Sequence, residues 1–203
     1  SNDVLKEFFA DLTYNIESEG ISWNPFETNH LIMNINGKDF LKIGFLLGVA
    51  LENDSRSIVS EDINNDGMVD LVVSTTRHHS YFIDGKFPDE SIYIFKNNVK
   101  SATSNHWLGV ILYPKAGGFH QAGTRITVST TDNKNYSKTL LNGDSFRSIH
   151  SNKIHFGLGD SGTIKQLQVI WPNGTTETLE NPETNNYYIF PLSTEHHQKL
   201  SLR

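Results

Sequence analysis

The sequence predicts a mainly β protein: an antiparallel β-sandwich-like C-terminal domain packed on an N-terminal partial propeller-blade unit, with a short N-terminal helix. Three observations carry this. Short apolar runs rich in β-branched and aromatic residues recur from residue 31 onward, as pleated, half-buried strands require. Turn residues separate them, with Asn-Gly pairs at 36–37, 142–143 and 173–174 that supply the positive φ of tight hairpins. Helical spacing is confined to the start of the chain.

In order, Val4, Leu5, Phe8, Phe9 and Leu12 recur at helical spacing behind Asp3, a fitting cap. Strand-like runs then follow at residues 30–34, 71–74, 91–95, 108–113, 125–129, 164–171 and 187–191. A polar, aperiodic stretch at 97–105 separates two strand-rich parts, giving expected domains of 1–100 and 101–203. A faint echo links Phe9–Leu12 with Gly20-Ile21 to Phe40–Ile43 with Gly48-Val49, and a recurrence at this spacing hints at a repeating blade.

Composition narrows the function. The 203 residues are 36% hydrophobic and 20% charged, enough for a real core. The net charge is −6 and no Lys/Arg cluster stands out, which argues against nucleic acid as a partner. No apolar run reaches the ~18 residues of a membrane span. The absence of cysteine removes disulfides, thiolate metal sites and a Cys nucleophile.

Acidity is concentrated at Glu61, Asp62, Asp66 and Asp70. The segment from Asp62 to Asp70 places side-chain oxygens at loop positions 1 (Asp62), 3 (Asn64), 5 (Asp66) and 9 (Asp70), with Gly67 at position 6. This matches the first part of an EF-hand-type loop, in which a hard cation is wrapped by oxygens and glycine allows the chain to reverse. Met68 would add its backbone carbonyl. The position that would complete an EF-hand is Val73, in a strand-like run, so the expected site is a β-type Ca²⁺ loop rather than a helical one. Mg²⁺ fits less well, because it demands tighter octahedral geometry and keeps its waters. The competing reading is a metal-free Asn/Asp/Gly turn.

The segment from Asp54 through Val73, with the strand-turn-Phe stretch 31–40, resembles an FG-GAP/VCBS-type repeat. The resemblance implies a propeller blade with a Ca²⁺ loop ligated by Asp62, Asn64, Asp66, Asp70 and the Met68 carbonyl. The second half is similar to the ASPIC/UnbV domain of cartilage acidic protein and its bacterial relatives, through Asn105–Val110, Ala122–Val128, His155–Gly159 and Leu167–Gly174. It implies an extracellular or periplasmic location and no defined reaction. The chain holds about one and a half blades, and a single blade cannot bury both faces or close a ring.

Other residues read plainly. In His155-Phe156-Gly157-Leu158-Gly159 the glycines fit a strand end better than a phosphate cradle, since no helix follows. The nine histidines lack zinc spacing. His155, between Ile154 and Phe156, is expected inside or beside the domain junction. Trp107 and Trp171 are expected as core anchors, leaving Trp23 and Tyr81 as candidate ligand-contacting aromatics. The expected function is Ca²⁺-supported binding or adhesion toward an extracellular ligand, carbohydrate or matrix protein. The alternatives are an extracellular enzyme on polysaccharide or a small metabolite, with Glu61 and His155 as candidates, and a cap that associates with a larger propeller or with itself.

Overall fold

The computed structural model describes residues 28–76, 90–99, 105–113, 121–141, 143, 147–191 and 199–200. The expected N-terminal helix, the echo at 9–21, Trp23 and Tyr81 lie outside these residues. The described residues are mainly β, with thirteen strands and no helix. They divide into two compact units, one of residues 1–56 with 74–91, the other of residues 57–73 with 92–203.

In the first unit, β1 (Ile32–Ile35) and β2 (Asp39–Lys42) pair antiparallel, Ile35 opposite Asp39. A three-residue connection, Asn36-Gly37-Lys38, joins them, with Asn36 and Gly37 at left-handed φ values of 53° and 71° and the Lys38 N–H donating to the Ile35 carbonyl at 3.0 Å. Asn34 Oδ1 accepts the Gly37 N–H at 2.6 Å. Both faces of the hairpin are exposed, including Phe40 at 70%. A three-stranded sheet runs β3 (Asp54–Glu61), β4 (Asp70–Thr76), β5 (Glu90–Phe95), and most of each strand (residues 57–61, 70–73 and 92–95) is assigned to the second unit.

The second unit holds the core. Its strands are β6 (His106–Leu112), β7 (Arg125–Thr130), β8 (Asn135–Thr139), β9 (Lys153–Gly159), β10 (Ile164–Ile170), β11 (Thr176–Glu180), β12 (Tyr187–Phe190) and β13 (Lys199–Leu200). They make two four-stranded sheets, β11-β10-β7-β8 and β13-β12-β6-β9. Pairing is antiparallel except that β12 runs parallel to β6, so the second sheet is mixed. Alternation decides which residues face inward: Leu108, Val110 and Leu112 of β6, Ile126 and Val128 of β7, Ile154, Phe156 and Leu158 of β9, and Leu167 and Val169 of β10 join one cluster between the sheets. Most of these side chains are completely buried, each worth about 1.5–3 kcal/mol relative to exposure. Trp171 belongs to this core, where Nε1–H donates to Glu177 at 2.8 Å. Trp107 does not: the β6 alternation that buries Leu108 turns Trp107 to the outer face of its sheet.

Candidate functional site

The outward residues of β12, β6 and β9 form a platform. Tyr187, Gly109 and His155 stand in one row across the three strands. A Cβ on Gly109 would come within 2.0 Å of the Tyr187 ring, so the absent side chain is what lets that ring lie across the row. Trp107 stacks on His155 at 5.4 Å and 18°, and leans on Tyr187 at 4.9 Å and 54°. Lys153 Nζ sits 5.1 Å over the Tyr187 ring, a cation–π contact.

The Asp62–Asp70 loop sits on this platform. Gly67, at φ 87°, is against Trp107; a Cβ there would lie 2.1 Å from Nε1. Tyr187 Oη–H donates to Asp62 Oδ2 at 2.7 Å, and Lys153 Nζ donates to the Asp62 carbonyl at 2.7 Å and to Asn65 Oδ1 at 2.6 Å. His155 Nε2 is 3.0 Å from the Gly67 carbonyl, which only accepts, so that nitrogen carries the proton. Burial pushes the His155 pKa below its ordinary 6.5 and keeps the ring neutral.

Within the loop the carboxylates hold backbone amides. Asp62 Oδ1 accepts from Asp66 N at 3.0 Å and its Oδ2 from Gly67 N at 2.7 Å. Asp70 accepts from Ile63 N at 3.1 Å, which ties the two ends of the loop together, and from Asn97 N at 2.8 Å, which ties the loop to the segment after β5. Asn64 Oδ1 accepts from Asp66 N, and Asp66 from Met68 N and Asn64 Nδ2. Asp62 is 0% exposed and Asp70 2%, whereas Asn64 and Asp66 face solvent. Desolvation, the largest single influence, raises the Asp66 pKa, but the Asn64 and Met68 hydrogen bonds and Lys96 at 3.6 Å together outweigh it and hold the carboxyl below its usual value. Desolvation, then the bond to Asp62, pushes the Tyr187 phenol far above its usual range, so it remains a donor.

All the expected ligands thus share one loop, and their oxygens are hard donors of the kind Ca²⁺ takes. Among the described residues, however, no three His, Asp or Glu side chains gather as a ready metal shell. The carboxylates are directed at amides instead. The sequence reading named Tyr187 among aromatics that could stack beside the ion, but did not find its bond to Asp62, nor Lys153 or Asn97. Strand alternation in Lys153-Ile154-His155-Phe156 could have placed Lys153 beside His155; nothing local could have joined Tyr187 to Asp62.

Beside the loop, Ser60, Glu61, Lys138, His150, Lys153 and His155 help to line a pocket of about 270 Å³. Glu61 is paired with Lys153 at 3.6 Å, both side chains being largely buried.

Residues 118–198, from just before β7 to just past β12, match the model of the family described as ASPIC and UnbV. No curated protein matches the chain.

Proposed function

We propose that this chain is an extracytoplasmic module in which Ca²⁺ at the Asp62–Asp70 loop supports a ligand-binding β domain. The reading keeps 1–100 and 101–203 as its sequence segments, the first an FG-GAP/VCBS-type unit and the second of ASPIC/UnbV type. One observation supports it above the rest: two carboxylates of an oxygen-rich loop are almost wholly buried, and a third stands within the same turn. Burying anions is costly unless charge or hydrogen bonds compensate. Amides and the Tyr187 hydroxyl supply part of that compensation, and a divalent cation supplies more. Asp62, Asn64, Asp66, Asp70 and the Met68 carbonyl would hold it, with Asn64 and Asp66 swinging inward from solvent. The ion's part is to neutralise the loop and fix it on the Trp107–Tyr187–His155 platform.

Calcium that binds only the folded chain stabilises it by RT ln(1 + [L]/Kd), about 2.7 kcal/mol at a hundredfold excess over Kd. Melting curves in calcium, magnesium and chelator test this. Calcium is expected to raise Tm, and Asp66→Ala to abolish the rise. An identical Tm in calcium and chelator for the unsubstituted protein overturns the reading.

Two alternatives each have an observation in their favour. Glu61 and His155 line one pocket, which favours an enzyme; yet Glu61 is engaged by Lys153 and His155 by Gly67. The two-faced exposure of the β1–β2 hairpin, with Ile32, Met33, Phe40 and Leu41 uncovered, favours a cap that associates with a larger propeller or with itself.

A further inference from the structure

We propose that the pocket beside the loop binds a small organic carboxylate of monosaccharide size, a uronic acid being the fitting class, with Lys138 as its anion partner. Every lining residue falls within the second compact unit. A volume of about 270 Å³ lies at the lower end of ligand pockets, so it suits one ring rather than a chain.

The charges set the sign of the ligand. Glu61 is paired with Lys153, and the Asp62 carboxylate keeps its charge but is 0% exposed, held by Tyr187 and two amides. Lys138 is the lining cation left, among the described residues, without a carboxylate partner. Its Nζ donates to the His155 carbonyl at 2.7 Å and lies 5.6 Å over the Phe156 ring, and among the described residues no carboxylate pairs with it. An ammonium has three N–H donors, so two remain for an incoming anion. Desolvation lowers the pKa of this lysine, the sign of a cation that a bound anion would relieve.

The remaining walls set the rest of the ligand. Thr139 and Ser60, both hydroxyl-bearing, belong to the lining and suit the ring hydroxyls of a sugar acid. Leu140, Ile154 and Leu141, the last 54% exposed, give the lining its apolar part, suited to a ring face. The inference deepens the ligand-binding reading and rests on it only in treating the module as a binder; it does not depend on the ion.

Amide chemical-shift mapping of the full chain with glucuronate, glucose and acetate, each in calcium and in chelator, tests it. Glucuronate is expected to bind with a Kd on the order of 1 mM and to shift the amides of Lys138–Leu141 and Ile154–Gly157. Glucose and acetate, each lacking one half of the ligand, are expected to bind at least about tenfold more weakly. Lys138→Gln keeps a donor for the His155 carbonyl and removes the charge, so it should lose glucuronate, whereas Lys138→Arg should retain it. No shifts at these amides, equal binding of glucose, or undiminished binding by folded Lys138→Gln overturns the proposal; should Lys138→Gln not fold, the comparison of the three probes on the unsubstituted chain decides. Glucuronate binding without any calcium effect on Tm retires the calcium reading and leaves this site standing. Calcium stabilisation without glucuronate binding does the reverse.

Discussion

Replacing Tyr187 by Phe removes one hydroxyl and leaves the ring that packs across Gly109 and against Trp107. The hydroxyl donates at 2.7 Å to a carboxylate oxygen in a residue with 0% exposure, while Tyr187 itself is 1% exposed. Hydrogen bonds to charged groups contribute about 1.5–3 kcal/mol. Asp62 keeps its two amide donors, so the carboxylate is weakened in its support rather than stripped of it, and the expected loss is about 2 kcal/mol. For a domain of this size that corresponds to a fall in Tm of roughly 4–8 °C. The assay is denaturant unfolding of the unsubstituted chain, Tyr187→Phe, Asp62→Asn and the double variant. The cycle isolates the pairwise coupling, expected at about 1.5 kcal/mol or more. A single-variant loss under about 0.5 kcal/mol, with coupling near zero, would refute the view that this bond anchors the acidic loop to the sandwich.

Two further outcomes follow from the same contacts. Gly67→Ala adds a Cβ 2.1 Å from the Trp107 indole at a φ of 87°, and backbone strain together with the clash should cost about 2–4 kcal/mol, read by denaturant midpoint and by loss of the Trp107 fluorescence environment. The folded His155 pKa is depressed below 6.5, so the unfolded chain binds its proton first as pH falls; the contribution is complete above about 6.5 and disappears as pH drops through the folded value. Accordingly the Tm difference between about pH 7.5 and pH 5.5 should shrink in His155→Gln, and an unchanged difference would show that the ring titrates as in solvent.

The core was legible because strand alternation is a local property. In residues 153–159 the spacing of Ile154, Phe156 and Leu158 already assigns one face to the interior, and the same holds for Ile126 with Val128 and Leu167 with Val169. Asn36-Gly37 fixed its hairpin for the equally local reason that both residues tolerate positive φ. Trp107 was misplaced because size and apolarity suggest burial without saying in what; parity along β6 sends it to the outer face, where the loop covers it.

Sequence alone therefore determined the β class, the inward alternation of β7, β9 and β10 and the grouping of Asp62, Asn64, Asp66 and Asp70 in one turn. Only the tertiary structure decided where that turn rests: on Tyr187, which lies 125 positions from Asp62, and on Lys153 and His155. The physical reason is that periodicity and turn chemistry act between near neighbours. A hydroxyl meeting a buried carboxylate across two sequence-distant segments depends instead on strand order, including a parallel β6–β12 pairing that no local pattern encodes.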